Sequence, residues 1–185
     1  MLIRLCSSSQ TRAMLLEEAK IDFIQESVEF DEECVVASSP KNFVYQATLG
    51  KYEANLKAFG YEEYPLLVAD TVVTSQGHIL RKARCEDDAR NILMTQSGNI
   101  TSIITCMIYH AKEKKIIDIS QTDYIFDDFN QNDLDNKTKV VVIGKVVEVA
   151  NNNELKRTII LLQVWNFNKI KKVEKSPPFL PQILP

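Results

Sequence analysis

Apolar runs that stop abruptly on polar side chains, each followed by helix-forming sequence, constrain this chain more than any other feature. Leu2-Ile3-Arg4-Leu5 ends in Cys6-Ser7-Ser8-Ser9, and a helical stretch follows in which Leu15 and Ala19 share one face with Leu16 beside them. The serines stand where a helix needs N-caps, because their hydroxyls accept the orphan N–H groups of a first turn. Asp22 to Val28 reads as a second strand. Ser39-Pro40 then opens a long helix, with Phe43, Val44, Ala47, Ala54, Leu56 and Ala58 available for its buried side and Gly50 as its weak point. Pro65-Leu66-Leu67-Val68-Ala69 is a buried-strand run that stops at Asp70, with Thr71-Val72-Val73 extended beyond it. Gln76-Gly77 marks a turn into His78-Ile79-Leu80. A helix from Glu86 to about Gln96, with acids in its first turn, leads through Ser97-Gly98 into a strand pair, Ile100–Tyr109 and Lys115–Phe126, joined by the polar turn at His110 to Glu113. Strands alternating with helices predict an α/β domain with a central sheet.

Composition narrows the class further. At 185 residues, 45% hydrophobic and 25% charged, the chain suits one domain with a sizeable core and excludes global disorder. No apolar run approaches the roughly 18 residues of a membrane span. Met1 to Ser7 turns polar too soon for a secretory signal. Cys6, Cys34, Cys85 and Cys106 lie far apart without a CxxC pair, and there are only two histidines, His78 and His110, both near turns and expected to face solvent. A zinc site or a disulfide framework is therefore not expected, and a cytoplasmic location is. The charge is uneven. Residues 1–135 carry 13 basic and 22 acidic side chains, whereas residues 136–185 carry 9 basic and 3 acidic ones. Such a tail permits a nucleic-acid arm, an anion-facing surface or a reading-frame artefact. The tail has little aromatic interleaving and no recognised motif, which argues against nucleic acid. There is no GxGxxG or GxxxxGK loop, so neither common nucleotide-binding fingerprint is present.

The chemistry is expected from polar residues at the ends of apolar strands. Ser7-Ser8-Ser9 with Arg12 forms a strand-to-helix junction whose hydroxyls, N–H groups and guanidinium suit an anion, or else simply cap a helix. Asp70 follows a buried run, where a carboxylate is costly unless solvated, paired or holding a metal. Catalytic and turn-capping roles are both open for it. Asp31-Glu32-Glu33 offers a second carboxylate or a solvated acidic loop, and Lys51 and Lys82 offer cations or ordinary surface charge. Carboxylates for a metal, with lysine and arginine for phosphates, are what phosphoanhydride hydrolysis requires.

In their order, these segments resemble the Maf family of septum-formation-inhibitor-like nucleoside triphosphate pyrophosphatases. Leu5-Cys6-Ser7-Ser8-Ser9-Gln10-Thr11-Arg12 with Leu15-Leu16 resembles its N-terminal signature, and Asp31-Glu32 its acidic pair. Ser39-Pro40 with Lys51, then Val68-Ala69-Asp70-Thr71-Val72-Val73 with Ile79-Leu80, Lys82 and the helix start at Glu86 to Arg90, are similar to the next blocks. Ser97-Gly98 with Ile103-Ile104-Thr105 is similar to the last. The resemblance implies a Maf-like (anvil-type) mixed central sheet flanked by helices, with a cleft, in one domain over residues 1–185. It implies hydrolysis of non-standard, modified or pyrimidine nucleoside triphosphates to monophosphate and pyrophosphate, dependent on a divalent cation, Mg²⁺ or Mn²⁺. Carried over residue by residue, Asp70 is the catalytic carboxylate and a metal ligand, Glu32 assists at the metal, and Ser8, Arg12, Lys51 and Lys82 hold phosphates. A homodimer is a further expectation of the resemblance.

Two departures bear on function. Thr11 and Gln10 stand where the family has an arginine and a proline, so one phosphate-binding cation is missing. After Leu134-Asp135 the family continues with a glycine-rich stretch of the type KAGAYGIQG, whereas this chain reads Asn136-Lys137-Thr138-Lys139-Val140 and onward. Val173-Glu174-Lys175 with Phe179-Leu180-Pro181 again resembles a family C-terminus. Two accounts follow: residues 136–172 are read from a displaced frame, or they have diverged, with Val140–Val149 and Thr158–Val164 as true strands. On either account the base-reading part is altered. Two functions therefore compete: a pyrophosphatase whose activity is impaired by this segment, or a catalytically silent Maf-like protein that binds nucleotide or a partner.

Overall fold

The three residues of β1 (Ile3–Leu5) are all buried, as a strand flanked on both edges and covered on both faces must be. The computed structural model describes residues 1–81, 83 and 85–129, together with the strand backbone at 145–148, 157–160, 170–175 and 182–183. β1 pairs in parallel with β2 (Phe23–Gln25) on one side and with β3 (Leu66–Ser75) on the other. Helix α1 (Gln10–Glu18) joins β1 to β2, and a short 3-10 turn at Glu32–Cys34 and helix α2 (Pro40–Phe59) join β2 to β3. β4 (His78–Leu80) folds back on β3. Helix α3 (Glu86–Gln96) then leads into the long antiparallel pair β5 (Ile100–Ala111) and β6 (Lys114–Phe126). Later come β7 (Lys145–Glu148), β8 (Arg157–Ile160), β9 (Ile170–Lys175) and β10 (Gln182–Ile183). The main sheet runs β10-β6-β5-β3-β1-β2, with β4 on β3 and β9 on β6, while β7 and β8 pair with each other. This is the expected mixed central sheet flanked by helices.

Local sequence explains most element boundaries. Ser9 caps α1 by accepting from the Arg12 N–H, and Ser39 caps α2 by accepting from the Asn42 N–H, with Pro40 in the first turn. Gln76 and Gly77 both have positive φ, the geometry of a tight hairpin turn whose twist suits the flanking strands. Three boundaries differ from expectation. β2 stops at Gln25 because its partner β1 ends at Leu5, and Val28 instead donates its N–H to the Asn55 side chain. β3 runs unbroken through Asp70, since β5 pairs with it from Leu66 to Ser75. β5 extends to Ala111, which confines the turn to Lys112 and Glu113.

The strand period sorts β3 into two faces. Leu66, Val68, Asp70 and Val72 are buried on one face, and α2 covers it. Leu67 on the other face packs with Ile3, Leu5 and Tyr109 under Ala13 and Leu16 of α1. Val44, Ala47, Leu66, Val68 and Ile108 are wholly buried, and a buried aliphatic side chain of Val or Leu size contributes about 1.5–3 kcal/mol. The inner stripe of α2 is Phe43, Val44, Ala47, Thr48, Tyr52 and Asn55, whereas Ala58 is exposed. Ala58 falls at the angle of that stripe but in the last turn of the helix, one residue before its end at Phe59. His78 is exposed as expected, but His110 is half-buried, bonded to the Tyr52 hydroxyl and lying against the Tyr61 ring. Among the described residues no helix is long and apolar enough to cross a membrane.

Candidate active site

β1 ends at Leu5, opposite Leu67, and β3 continues past it. Side chains of β3 beyond Leu67 therefore lie at the carboxyl end of a parallel pair, where open α/β sheets place their ligand sites. Asp70 is one of them. It is 7% exposed and sits between two parts of the core, with Leu66 and Val68 before it and Val72 after it. Across the ladder its partner is Cys106, wholly buried, whose thiol is pushed up to about 12 chiefly by burial. That neighbour is neutral and cannot compensate a carboxylate.

Compensation comes from α2. Lys51 lies four residues after Ala47, on the helix stripe that faces the sheet, so its ammonium reaches the strand below. Lys51 Nζ is 2.8 Å from Asp70 Oδ1 and 2.5 Å from Glu32 Oε1. The acidic triplet thus divides its work. Asp31 accepts from the Glu33 N–H and caps the short 3-10 turn, Glu33 is exposed, and Glu32 points to Lys51. Asp70 Oδ2 is buried and has no hydrogen-bond partner, which is costly for a carboxylate oxygen.

A second cluster lies on the α1 side. The Arg12 guanidinium donates to Ser7 Oγ at 2.8 Å and to Thr71 Oγ1 at 3.4 Å, and the Thr71 and Thr105 hydroxyls are 3.0 Å apart. Burial pulls the Arg12 pKa below its ordinary value, opposed by the nearby charges of Asp70 and Glu32. Gln25 donates its amide to the carbonyls of Ser7 at 2.7 Å and Ser9 at 3.3 Å, fixing the serine turn from β2.

The structure thus brings together Arg12, Glu32, Lys51 and Asp70. Ser8 is exposed at the turn, and Ser7 rather than Ser8 bonds Arg12. Lys82 lies outside the described residues. Sequence reasoning misses Thr105, Gln25 and Asn55. Gln25 obeys the rule that flags Asp70, a polar residue ending an apolar strand, and Asn55 is a carboxamide on the buried stripe of a helix.

The donor set fits a hard divalent cation. Mg²⁺ typically takes one or two carboxylates and completes its octahedron with waters and substrate phosphates. Glu32 and Asp70 supply two carboxylates held together by one cation already, and Asp70 Oδ2 supplies an unused lone pair. No group of three or more His, Cys, Asp or Glu side chains that could hold a metal ion is found among the described residues, so waters or substrate oxygens would complete the coordination.

Two carboxylates bridged by a lysine thus stand beside an arginine–serine–threonine cluster. The family model described as Maf-like protein matches residues 2–143. The chain belongs to the Maf family. It is 50% identical over 140 residues to a nucleoside triphosphate pyrophosphatase of a Nitratiruptor species, covering 75% of each chain. A Campylobacter jejuni (strain RM1221) protein of the same name is 37% identical over 132 residues, covering 70% of this chain and 72% of its own. A third of that name, from Helicobacter pylori, is 35% identical over 114 residues, covering 62% and 60%. The Maf match thus contains every side chain of the site described above and ends at 143, within the region where the motifs depart.

Proposed function

We propose that this Maf protein is a nucleoside triphosphate pyrophosphatase, acting on non-standard, modified or pyrimidine nucleotides in a house-cleaning role in the cytoplasm. The observation that carries the reading is the Glu32–Lys51–Asp70 bridge with its unpartnered buried oxygen. The reaction joins a water oxygen to the α-phosphorus and breaks the α–β phosphoanhydride bond, whose electron pair leaves with pyrophosphate. Lys51 holds Asp70 Oδ1, which orients the carboxylate and leaves Oδ2 either to accept the proton of the attacking water or to bind the cation. Arg12, set in place by Ser7 and Thr71, offers a guanidinium to the phosphate oxygens, and the serine turn adds backbone N–H groups at the start of α1. Ser8, exposed at that turn, and Lys82 complete the phosphate-binding set. A divalent cation, Mg²⁺ or Mn²⁺, held by Glu32 and Asp70 would supply charge neutralisation and polarisation of the phosphoanhydride. The four free cysteines suit a reducing compartment.

The test is pyrophosphate release from a panel of nucleoside triphosphates with Mg²⁺, wild type beside Asp70→Asn. Loss of a positioned base or metal carboxylate should lower the rate by about 10²–10⁴-fold. Nucleotide binding by the wild type without release from any member of the panel would reject the reading and leave a silent nucleotide-binding protein.

A further inference from the structure

Gly50 stands in the middle of a twenty-residue helix, where glycine is unfavourable, and the structure gives it a reason. A Cβ at that position would run into the ring of Phe30, which belongs to the loop between β2 and the acidic turn. Five residues further along α2, Asn55 is 1% exposed, and its carboxamide is oriented by the helix at one end and holds the loop at the other. Its Oδ1 accepts from the Val28 N–H at 3.1 Å, and its Nδ2 donates to the Lys51 carbonyl at 2.7 Å. The loop carrying Glu32 is therefore fastened to α2 at two points, one on each side of Lys51. Glu32 itself is half-buried on a short 3-10 turn, which cannot fix the carboxylate alone.

We propose that Gly50 and Asn55 form a clasp that sets Glu32 against the Lys51 ammonium, and that both are positioning residues for the metal carboxylates. The proposal rests on the reading of Glu32 and Asp70 given above. It acts on metal affinity through the loop: contacts behind ligating carboxylates commonly govern metal affinity as strongly as the ligands' own orientation requires.

Asn55→Ala leaves the Val28 N–H without its partner and is liable to unfold. Gly50→Ala is the cleaner variant, because alanine favours the helix while its methyl group displaces Phe30. The Mg²⁺ dependence of pyrophosphate release is measured for wild type, Glu32→Gln, Gly50→Ala and the double variant. Exchange of the Val28 amide proton is followed in the same proteins without metal. Gly50→Ala should keep the fold, accelerate Val28 exchange, and raise the half-saturating Mg²⁺ concentration by about tenfold. It should add little to Glu32→Gln, and Gly50→Ala/Phe30→Leu, which makes room for the methyl group, should recover most of the loss. Unchanged Val28 exchange, or effects of Gly50→Ala and Glu32→Gln that multiply in full, would overturn the clasp. If Glu32→Gln alone leaves the Mg²⁺ requirement unchanged, the reading of the site is what fails. The clasp as a holder of the loop then stands if Gly50→Ala speeds Val28 exchange and falls if it does not.

Discussion

The ammonium of Lys51 meets Asp70 Oδ1 at 2.8 Å, and the other oxygen of that carboxylate is buried with nothing to bind. A buried charge is costly unless it is paired and hydrogen-bonded, so this carboxylate depends on one strong partner. Helix α2 supplies the strong partner from its sheet-facing stripe, and β3 supplies the acid at the end of a parallel pair.

The bridge predicts a stability effect separable from catalysis. Lys51→Met leaves Asp70 and Glu32 facing each other without their cation. Breaking a fully buried pair costs about 3–5 kcal/mol, but Lys51 and Glu32 reach solvent, so a loss of about 1–3 kcal/mol is expected. Mg²⁺ should restore part of it, because the ion compensates the same carboxylates. Urea unfolding with EDTA and with Mg²⁺ checks this. A variant whose midpoint moves no more with Mg²⁺ than the wild type's would show that the two acids do not share a cation.

Arg12 predicts a geometric effect. Its planar fork reaches Ser7 and Thr71 at once, which a single ammonium cannot do. Arg12→Lys keeps the charge and loses the fork. With one charge-assisted bond contributing about 1.5–3 kcal/mol, KM for the nucleotide should rise by about ten- to hundredfold. Steady-state kinetics on Arg12→Lys and Arg12→Ala would separate the two contributions: near-equal KM values mean that geometry dominates, and a near-normal Arg12→Lys means that charge does.

Much of this is legible in the sequence, for physical reasons. Polar residues ending apolar runs are expensive unless used, and this singles out Asp70 and the serine turn. What the sequence hides depends on tertiary contact. Nothing local says that Val28 will donate its N–H to Asn55, so the apolar pattern overextends the second strand. Gly50 is a weak point in the isolated helix, and only the Phe30 ring beside it explains why it is there. Ser8 and Ser7 are indistinguishable in a run of serines, and only the turn geometry aims Ser7 at Arg12.

His110 predicts a pH effect remote from the site. Its Nδ1 is 2.8 Å from the Tyr52 hydroxyl, its ring lies 3.9 Å from that of Tyr61, and Lys115 and Glu62 are the charges acting on it. Burial first, and Lys115 second, lower its pKa below the ordinary 6.5, while Glu62 opposes them. The unfolded chain therefore binds this proton more readily than the folded one, and stability is lost as pH falls below the unfolded value. Urea midpoints at about pH 7.5 and about pH 5 should show a smaller loss on acidification in His110→Gln than in the wild type. Equal losses would assign the acid sensitivity to carboxylates elsewhere.

The family likeness ends before the chain does. The Maf match stops at 143, and the Nitratiruptor protein aligns over 75% of each chain. Beyond 135 the charge balance inverts, to 9 basic and 3 acidic residues. We expect the coding DNA for residues 136–172, read in an alternative frame, to encode a glycine-rich segment of the KAGxY type. Resequencing the gene decides this directly. If neither alternative frame contains such a segment, the chain has diverged, and Lys145–Glu148 and Arg157–Ile160 are its own strand pair. If one does, a chain with that frame restored should release pyrophosphate faster than this one under the same Mg²⁺ and nucleotide. An unchanged rate would show that the altered segment does not limit the chemistry at Asp70.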